Sequence, residues 1–170
     1  YEKRVREEDL PFFIGLMRHL AQRGINCPQP VLNREGEALG RLAGRPAAIV
    51  TFLDGMWVKR PTAGHCAGVG EALARLHLAG ADFPMRRENA LSLPAWRPLF
   101  MQADGRADTV SPGLAARTLA ALDELERVWP ADLPGGVVHA DLFPDNVFFI
   151  AGRLSGLIDF YFACTDAFAY

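Results

Sequence analysis

Apolar residues recur at helical spacing early in the chain. Phe13, Leu16, Met17 and Leu20 stand at i, i+3, i+4 and i+7, one face of a helix. Asp9 precedes this face as a candidate cap, and Pro11 falls in the first turn, where a missing N–H costs nothing. Gly24 supplies a stop, and Cys27-Pro28-Gln29-Pro30 forces extended chain. Three short runs then read as strands: 31–32, 38–42 and 47–53. Asn33-Arg34-Glu35-Gly36 and Gly44-Arg45-Pro46 separate them as turns, which implies an antiparallel meander. Residues 47–53 are nearly all apolar, so the pattern predicts a central, buried strand. Asp54-Gly55 ends it. A lobe boundary falls here, with residues 1–53 as a sheet-containing lobe and 54–170 as a mainly helical one.

Thr62 caps a helix carrying Val69, Leu73, Leu76 and His77, closed by Gly80. Residues 93–101, with Trp96, Leu99 and Phe100, predict a shorter helix. Ser111-Pro112 reads as a cap followed by proline at the first helical position. Leu119, Leu122, Leu125 and Trp129 mark the buried face of that helix, and Pro130 ends it. Residues 84–89, with Arg86 and Arg87, read as a solvated loop. The end of the chain changes character. Val137-Val138 is a short strand after Gly135-Gly136, 139–145 is a polar loop, and 147–150 is a strand. A turn at Ala151-Gly152-Arg153 leads to a third strand, 154–158, with Asp159 at its end.

Composition narrows the function classes. Of 170 residues, 50% are hydrophobic and 22% charged, which supports a packed core and excludes a disordered chain or a coiled coil. Lys plus Arg is 18 and Asp plus Glu is 20, so the net charge is −2. No basic excess exists to attract nucleic acid or an anionic membrane. No apolar run approaches the roughly 20 residues of a membrane span, and residues 1–8 are too charged for a signal peptide. Cys27, Cys66 and Cys164 are scattered and odd in number, matching neither a disulfide framework nor a zinc pattern. A reducing, cytoplasmic setting is the expectation.

The chemistry-bearing string is Val137-Val138-His139-Ala140-Asp141-Leu142-Phe143-Pro144-Asp145-Asn146-Val147, followed by Leu157-Ile158-Asp159-Phe160. A hairpin between Asn146 and Asp159 returns the chain to its start, so these two hard oxygen donors can meet. Such a pair suits Mg²⁺, which takes few protein oxygens and keeps positions for substrate phosphates. Asp141, on the adjoining loop, could orient a hydroxyl toward a metal-bound phosphate. These are the parts phosphoryl transfer requires.

The H-x-D-x-x-x-x-N string with its later Ile158-Asp159-Phe160 resembles the aminoglycoside phosphotransferase and choline kinase group, distant relatives of protein kinases. Asp9-Leu10-Pro11-Phe12-Phe13, Leu73-Ala74-Arg75-Leu76-His77, Asn89-Ala90-Leu91-Ser92-Leu93 and the 139–149 and 154–164 strings extend the likeness to bacterial homoserine kinases of this type. The resemblance implies an α+β, protein-kinase-like fold in two lobes, incomplete at both ends. It implies that residues 1–53 are part of the nucleotide-binding lobe. It implies ATP and Mg²⁺ as cofactors, with L-homoserine phosphorylated to O-phospho-L-homoserine. Asp141 matches the catalytic base, Asn146 and Asp159 the Mg²⁺ ligands, and Thr51, Phe52 and Leu53 the hinge that offers backbone groups to adenine. The family's glycine-containing phosphate loop has no counterpart here, and Lys3 lies past the position of the phosphate-binding lysine.

Other residues read as structural. His139, between a buried strand and a loop, is expected to be a hydrogen-bonded framework residue, and His77 to pack beside the catalytic loop. Phe148, Phe149, Phe160 and Phe162 read as core, Asp145 as a solvated turn carboxylate that could also touch substrate, and Cys164 as an inert thiol. Two rival functions stand beside homoserine kinase. One is a kinase of choline, ethanolamine, an aminoglycoside or another amino alcohol. The other is a non-catalytic nucleotide-binding protein.

Overall fold

The computed structural model describes residues 5–103 and 105–170. Residues 1–4, with Lys3, lie outside it. The chain forms two compact units, Tyr1–Glu88 with Pro134–Tyr170, and Asn89–Leu133.

In the first unit, a 3-10 turn at Glu7–Asp9 leads into helix α1, Leu10–Gln22. The predicted apolar face is the buried one: Phe13, Leu16, Met17 and Leu20 are all buried. Gly24, at φ +82°, terminates the helix as expected. Asp9 does not cap it. It occupies the N-cap position with helical backbone angles and makes no side-chain cap bond, because its carboxylate pairs with arginines instead.

The next strands are short: β1 Pro30–Val31, β2 Gly40–Leu42, β3 Arg45–Ala47 and β4 Ile49–Val50. β1 pairs with β4 and β2 with β3, both antiparallel, giving two ribbons rather than a meander. Arg45 and Pro46 belong to a strand, and the reversal sits at Ala43 and Gly44, both at positive φ. The expected buried strand over 47–53 is broken at Ala48, and β4 keeps a two-residue pairing. Ile49 is 72% exposed and Phe52 87%. An apolar run is buried only where other elements cover both its faces, and β4 has a partner along one edge.

Helix α2, Ala63–Ala79, starts on a reciprocal cap. The His65 backbone N–H donates to Thr62 Oγ1 at 3.4 Å, and the Thr62 N–H donates to His65 Nδ1 at 3.0 Å. This satisfies two of the donors a helix start leaves open. The chain then returns through β5 Gly135–Val138, β6 Val147–Ile150, β7 Arg153–Leu157 and β8 Cys164–Ala167. β6 and β7 form the predicted hairpin, with Val147 opposite Leu157. β8 was not legible in the sequence; it pairs antiparallel with β5, Val138 opposite Cys164. The α1 face packs with Leu76, Val137, Val147, Leu157, Phe160 and Ala163 in one core. Phe160 belongs to that core, while Phe162 is 43% exposed, contrary to expectation, because the 3-10 turn at Phe160–Phe162 points alternate rings apart.

The second unit is helical: α3 Leu93–Met101, α4 Ala107–Val110 and α5 Leu114–Val128. α5 begins two residues beyond the Ser111-Pro112 signal, after Gly113 at φ +74°. Trp96 meets Trp129 edge-on at 5.2 Å, and Arg97 joins α3 to Asp123 and Glu126 of α5.

Candidate active site

β5 ends in the buried core and delivers His139, which is 1% exposed. His139 Nε2–H donates to the Ile158 carbonyl at 2.9 Å, and its Nδ1 accepts the Asp141 N–H at 3.3 Å. The ring is therefore a neutral bridge between the loop after β5 and the end of β7. Burial holds it below the ordinary histidine value of 6.5, against the opposing pull of the Ile158 carbonyl and the Asp141 and Asp159 carboxylates. Ala140, between His139 and Asp141, adopts φ +61°. A left-handed non-glycine residue costs about 1–3 kcal/mol and persists only where its surroundings over-determine it.

The 139–146 loop folds back on itself. The Phe143 N–H donates to the Asp141 carbonyl and the Asn146 N–H to the Phe143 carbonyl, both at 2.9 Å. Pro144 starts the 3-10 turn Pro144–Asn146 that closes the loop. The buried Asn146 amide then meets Asp141 directly: Nδ2 donates to its carbonyl at 2.7 Å and to its carboxylate at 3.0 Å. Asp159 enters from the other arm. The Ile158 N–H donates to the Asn146 carbonyl at 3.0 Å, so the residue before Asp159 is held through its N–H by Asn146 and through its carbonyl by His139. Asp159 is exposed and itself left-handed, at φ +61° and ψ +64°.

This donor set fits Mg²⁺ chemically. The Asn146 Nδ2 donates to Asp141, which leaves Oδ1 as the hard oxygen donor of that side chain, and Asp159 adds an exposed carboxylate. Two oxygen donors leave most of an octahedral shell for water and phosphate. Among the described residues, no three His, Cys, Asp or Glu side chains gather as a closed metal site does. A cavity of about 330 Å³ opens beside Asp141, lined also by His77, His139, Phe143 and Phe168. His77 stacks on Phe168 at 4.4 Å, and burial lowers its pKa.

The segment expected to form the hinge is tied to the same hairpin. The Thr51 N–H donates to the Gln29 carbonyl at 2.9 Å, so that amide is occupied by the protein, and Phe52 and Leu53 continue outside any strand. Met56 exchanges two backbone bonds with Phe149 of β6. Gly55, at φ +133°, permits the approach: a Cβ there would fall on Ser155 Oγ and 3.0 Å from Phe148 Cβ.

One contact was missed in the sequence. Arg87, read as solvated, reaches Asp9 Oδ2 with Nε at 3.0 Å and the Ala163 carbonyl with Nη1 at 3.1 Å. Arg86 is exposed as expected. Burial pushes the Asp9 carboxyl up, but hydrogen bonds from Arg87 and Arg6 outweigh it and hold the group below its ordinary value. A separation of 78 residues leaves no local pattern from which this pair could have been found. Cys164 conforms to expectation, buried and with its thiol pushed up to about 11.

The family model of the phosphotransferase enzyme family (APH) matches residues 1–170. The chain belongs to this family. A homoserine kinase of Methylorubrum populi is 72% identical over 170 residues, which are all of this chain and 53% of that protein. A homoserine kinase of Brucella ovis is 68% identical over the same span, 52% of its length. The chain thus spans about half the length of the curated relatives it matches. Solved members of the fold include an amicoumacin kinase in complex with AMP-PNP and Ca²⁺, at TM-score 0.68 and 17% identity, covering 96% of this chain and 51% of that one. A spectinomycin phosphotransferase in complex with ADP aligns at TM-score 0.67 and 16% identity, covering 94% and 55%. These establish the protein-kinase-like α+β fold expected from the sequence. No helix among the described residues is long and apolar enough to cross a membrane.

The neutral, buried His139 carries a pH signature. A depressed histidine contributes stability that is complete above its ordinary value of 6.5 and is lost as pH falls through its lower folded value. The thermal midpoint should therefore drop below about pH 6.5. His139→Asn should flatten part of that slope, His77 retaining the rest. Parallel midpoint profiles for wild type and variant between pH 8 and 5 would show that His139 does not titrate on unfolding.

Proposed function

We propose that the full-length protein transfers the γ-phosphoryl group of ATP to the hydroxyl of L-homoserine, giving O-phospho-L-homoserine. The reaction type is supported by the Asp141–Asn146 contact and by the bond from the N–H of Ile158, the residue before Asp159, to the Asn146 carbonyl. The acceptor is carried by one observation, the 72% identity over the whole chain to a homoserine kinase. Asp141 accepts a hydrogen bond from the acceptor hydroxyl and aligns its oxygen with the phosphorus. Asn146 Oδ1 and the Asp159 carboxylate hold Mg²⁺, and the backbone at Phe52 and Leu53 faces adenine. Mg²⁺, when bound, neutralises phosphate charge as it develops in transfer. His139 fixes the loop and exchanges no proton with substrate. Residues 1–53 serve as part of the nucleotide lobe, and 54–170 begin the catalytic lobe. A cytoplasmic location is part of the same reading, as the scattered, unpaired cysteines suggest.

Steady-state kinetics with saturating Mg-ATP test the acceptor. A site built for homoserine offers donors to its carboxylate, and choline leaves them unpaired, at about 1–3 kcal/mol for each buried group. Two such losses give roughly a 10²-fold preference in kcat/KM for homoserine. A preference for choline or ethanolamine would overturn the acceptor and keep the kinase. ATP binding with no transfer to any small hydroxyl compound would favour a non-catalytic nucleotide-binding protein.

A further inference from the structure

We infer that Arg87 is a positioning residue for the Asp159 carboxylate, acting as a latch between the start of α1 and the turn that follows Asp159. The inference rests on the functional reading above for the role of Asp159, and on independent geometry for the latch.

The latch is attached through both its side chain and its backbone. Arg87 Nε meets Asp9 at 3.0 Å, and Nη1 donates to the Ala163 carbonyl at 3.1 Å. The guanidinium lies 5.0 Å over the Phe13 ring of α1. Its backbone carbonyl accepts the Thr165 N–H at 2.7 Å, so Arg87 also holds the start of β8. The pair is largely enclosed, with side chains 17% and 10% exposed. Arg6 adds a second cation to Asp9, with Nη2 3.2 Å from Oδ1. Phe13 in turn packs edge-on against Tyr161, within the turn itself, at 5.5 Å.

What the latch holds is a strained residue. Asp159 is left-handed without being glycine, a conformation kept only by constraint from both sides. On the upstream side, His139 and Asn146 hold the peptide of Ile158. On the downstream side, the Phe160–Phe162 turn ends where the Ala163 N–H bonds the Phe160 carbonyl, and Arg87 grips the Ala163 carbonyl. Without the guanidinium, the downstream side keeps its backbone bonds but loses its grip on the Ala163 carbonyl, and Asp159 is freer to relax toward ordinary backbone angles. Its carboxylate then leaves the position from which it is proposed to hold Mg²⁺ together with Asn146 Oδ1. Lysine cannot replace the latch fully, because one ammonium group does not reproduce a planar fork that serves Asp9 and Ala163 at once.

The test uses the full-length protein and two readouts. One is the dissociation constant of Mn²⁺ in the presence of a non-hydrolysable ATP analogue, followed by electron paramagnetic resonance. The other is the Mg²⁺ concentration for half-maximal turnover, measured beside the homoserine KM. Arg87→Met, which keeps the stem over Phe13, should weaken Mn²⁺ about 10-fold, in the range of supports lost behind a metal ligand. The Mg²⁺ requirement should rise equally, with the homoserine KM within about 2-fold of wild type. Arg87→Lys should fall between. Leu16→Val, which loosens α1 without touching the latch, should lower the thermal midpoint and leave Mn²⁺ affinity alone. A folded Arg87→Met protein with wild-type Mn²⁺ affinity overturns the inference, as does an equal loss in Leu16→Val. Should Arg87→Met not fold, Arg87→Lys and Asp9→Asn carry the test, and wild-type metal affinity in both overturns it. Wild type that binds the Mn²⁺–nucleotide complex but phosphorylates nothing removes the functional reading, and the metal readout still decides the latch. Wild type that binds no Mn²⁺–nucleotide complex overturns both.

Discussion

Asp141→Ala in the full-length protein is expected to lower kcat by about 10²–10⁴-fold, the range of a positioned acid–base group, while ATP-analogue affinity changes little. The side chain stands on a loop whose shape does not depend on its carboxylate alone. The 139–146 segment is also held by backbone bonds from Phe143 to the Asp141 carbonyl and from Asn146 to the Phe143 carbonyl. His139 anchors it from below. Truncation removes one Asn146 contact and leaves the other, the 2.7 Å bond to the Asp141 carbonyl. Asn146 therefore stays oriented, and the proposed metal donors stay in place. What is lost is the proposed acceptor for the substrate hydroxyl, an interaction made as transfer begins. The measurement is single-turnover phosphorylation of homoserine together with analogue binding. Loss of analogue affinity as large as the loss in rate would place Asp141 in nucleotide binding instead.

The parts that sequence analysis read well are local. The α1 face, the Thr62 cap, the 93–101 helix and the 147–157 hairpin are set by residues within one or two turns of each other. The nearness of Asp141 and Asn146 was legible for the same reason: five positions apart, with Pro144 closing the turn between them. Long-range features were not legible. β8 finds its partner in β5, across two intervening strands, and Cys164-Thr165-Asp166-Ala167 lacks the alternation that marks a strand. Ile49 and Phe52 look like core by composition, yet exposure depends on what covers them. The Asp9–Arg87 pair joins a residue read as a helix cap to one read as part of a solvated loop. The left-handed angles at Ala140 and Asp159 leave no mark either, since neither residue is the glycine that would announce them. They are imposed by the surrounding bonds, which is where a site departs from local preference.

Asp159→Ala is expected to cost about 10³-fold or more in kcat/KM at millimolar Mg²⁺. The estimate follows from charge. Asp159 is the anionic member of the proposed donor pair, while Asn146 offers a neutral amide oxygen. Losing a direct ligand removes several kcal/mol of stabilisation for the transferring phosphoryl group, and each 1.36 kcal/mol is about tenfold in rate. The fold should survive, because Asp159 is exposed and makes no capping bond, and alanine already tolerates a positive φ at Ala140. Higher Mg²⁺ should recover part of the loss in Asp159→Ala and none in Asp141→Ala, since mass action refills a weakened metal site but cannot replace a hydroxyl acceptor. Asp159→Asn, which keeps an oxygen donor and gives up the charge, should fall between wild type and alanine. The decisive measurement is kcat/KM for ATP as a function of Mg²⁺ in all three proteins. Identical Mg²⁺ curves for wild type and Asp159→Ala would remove Asp159 from the proposed metal site.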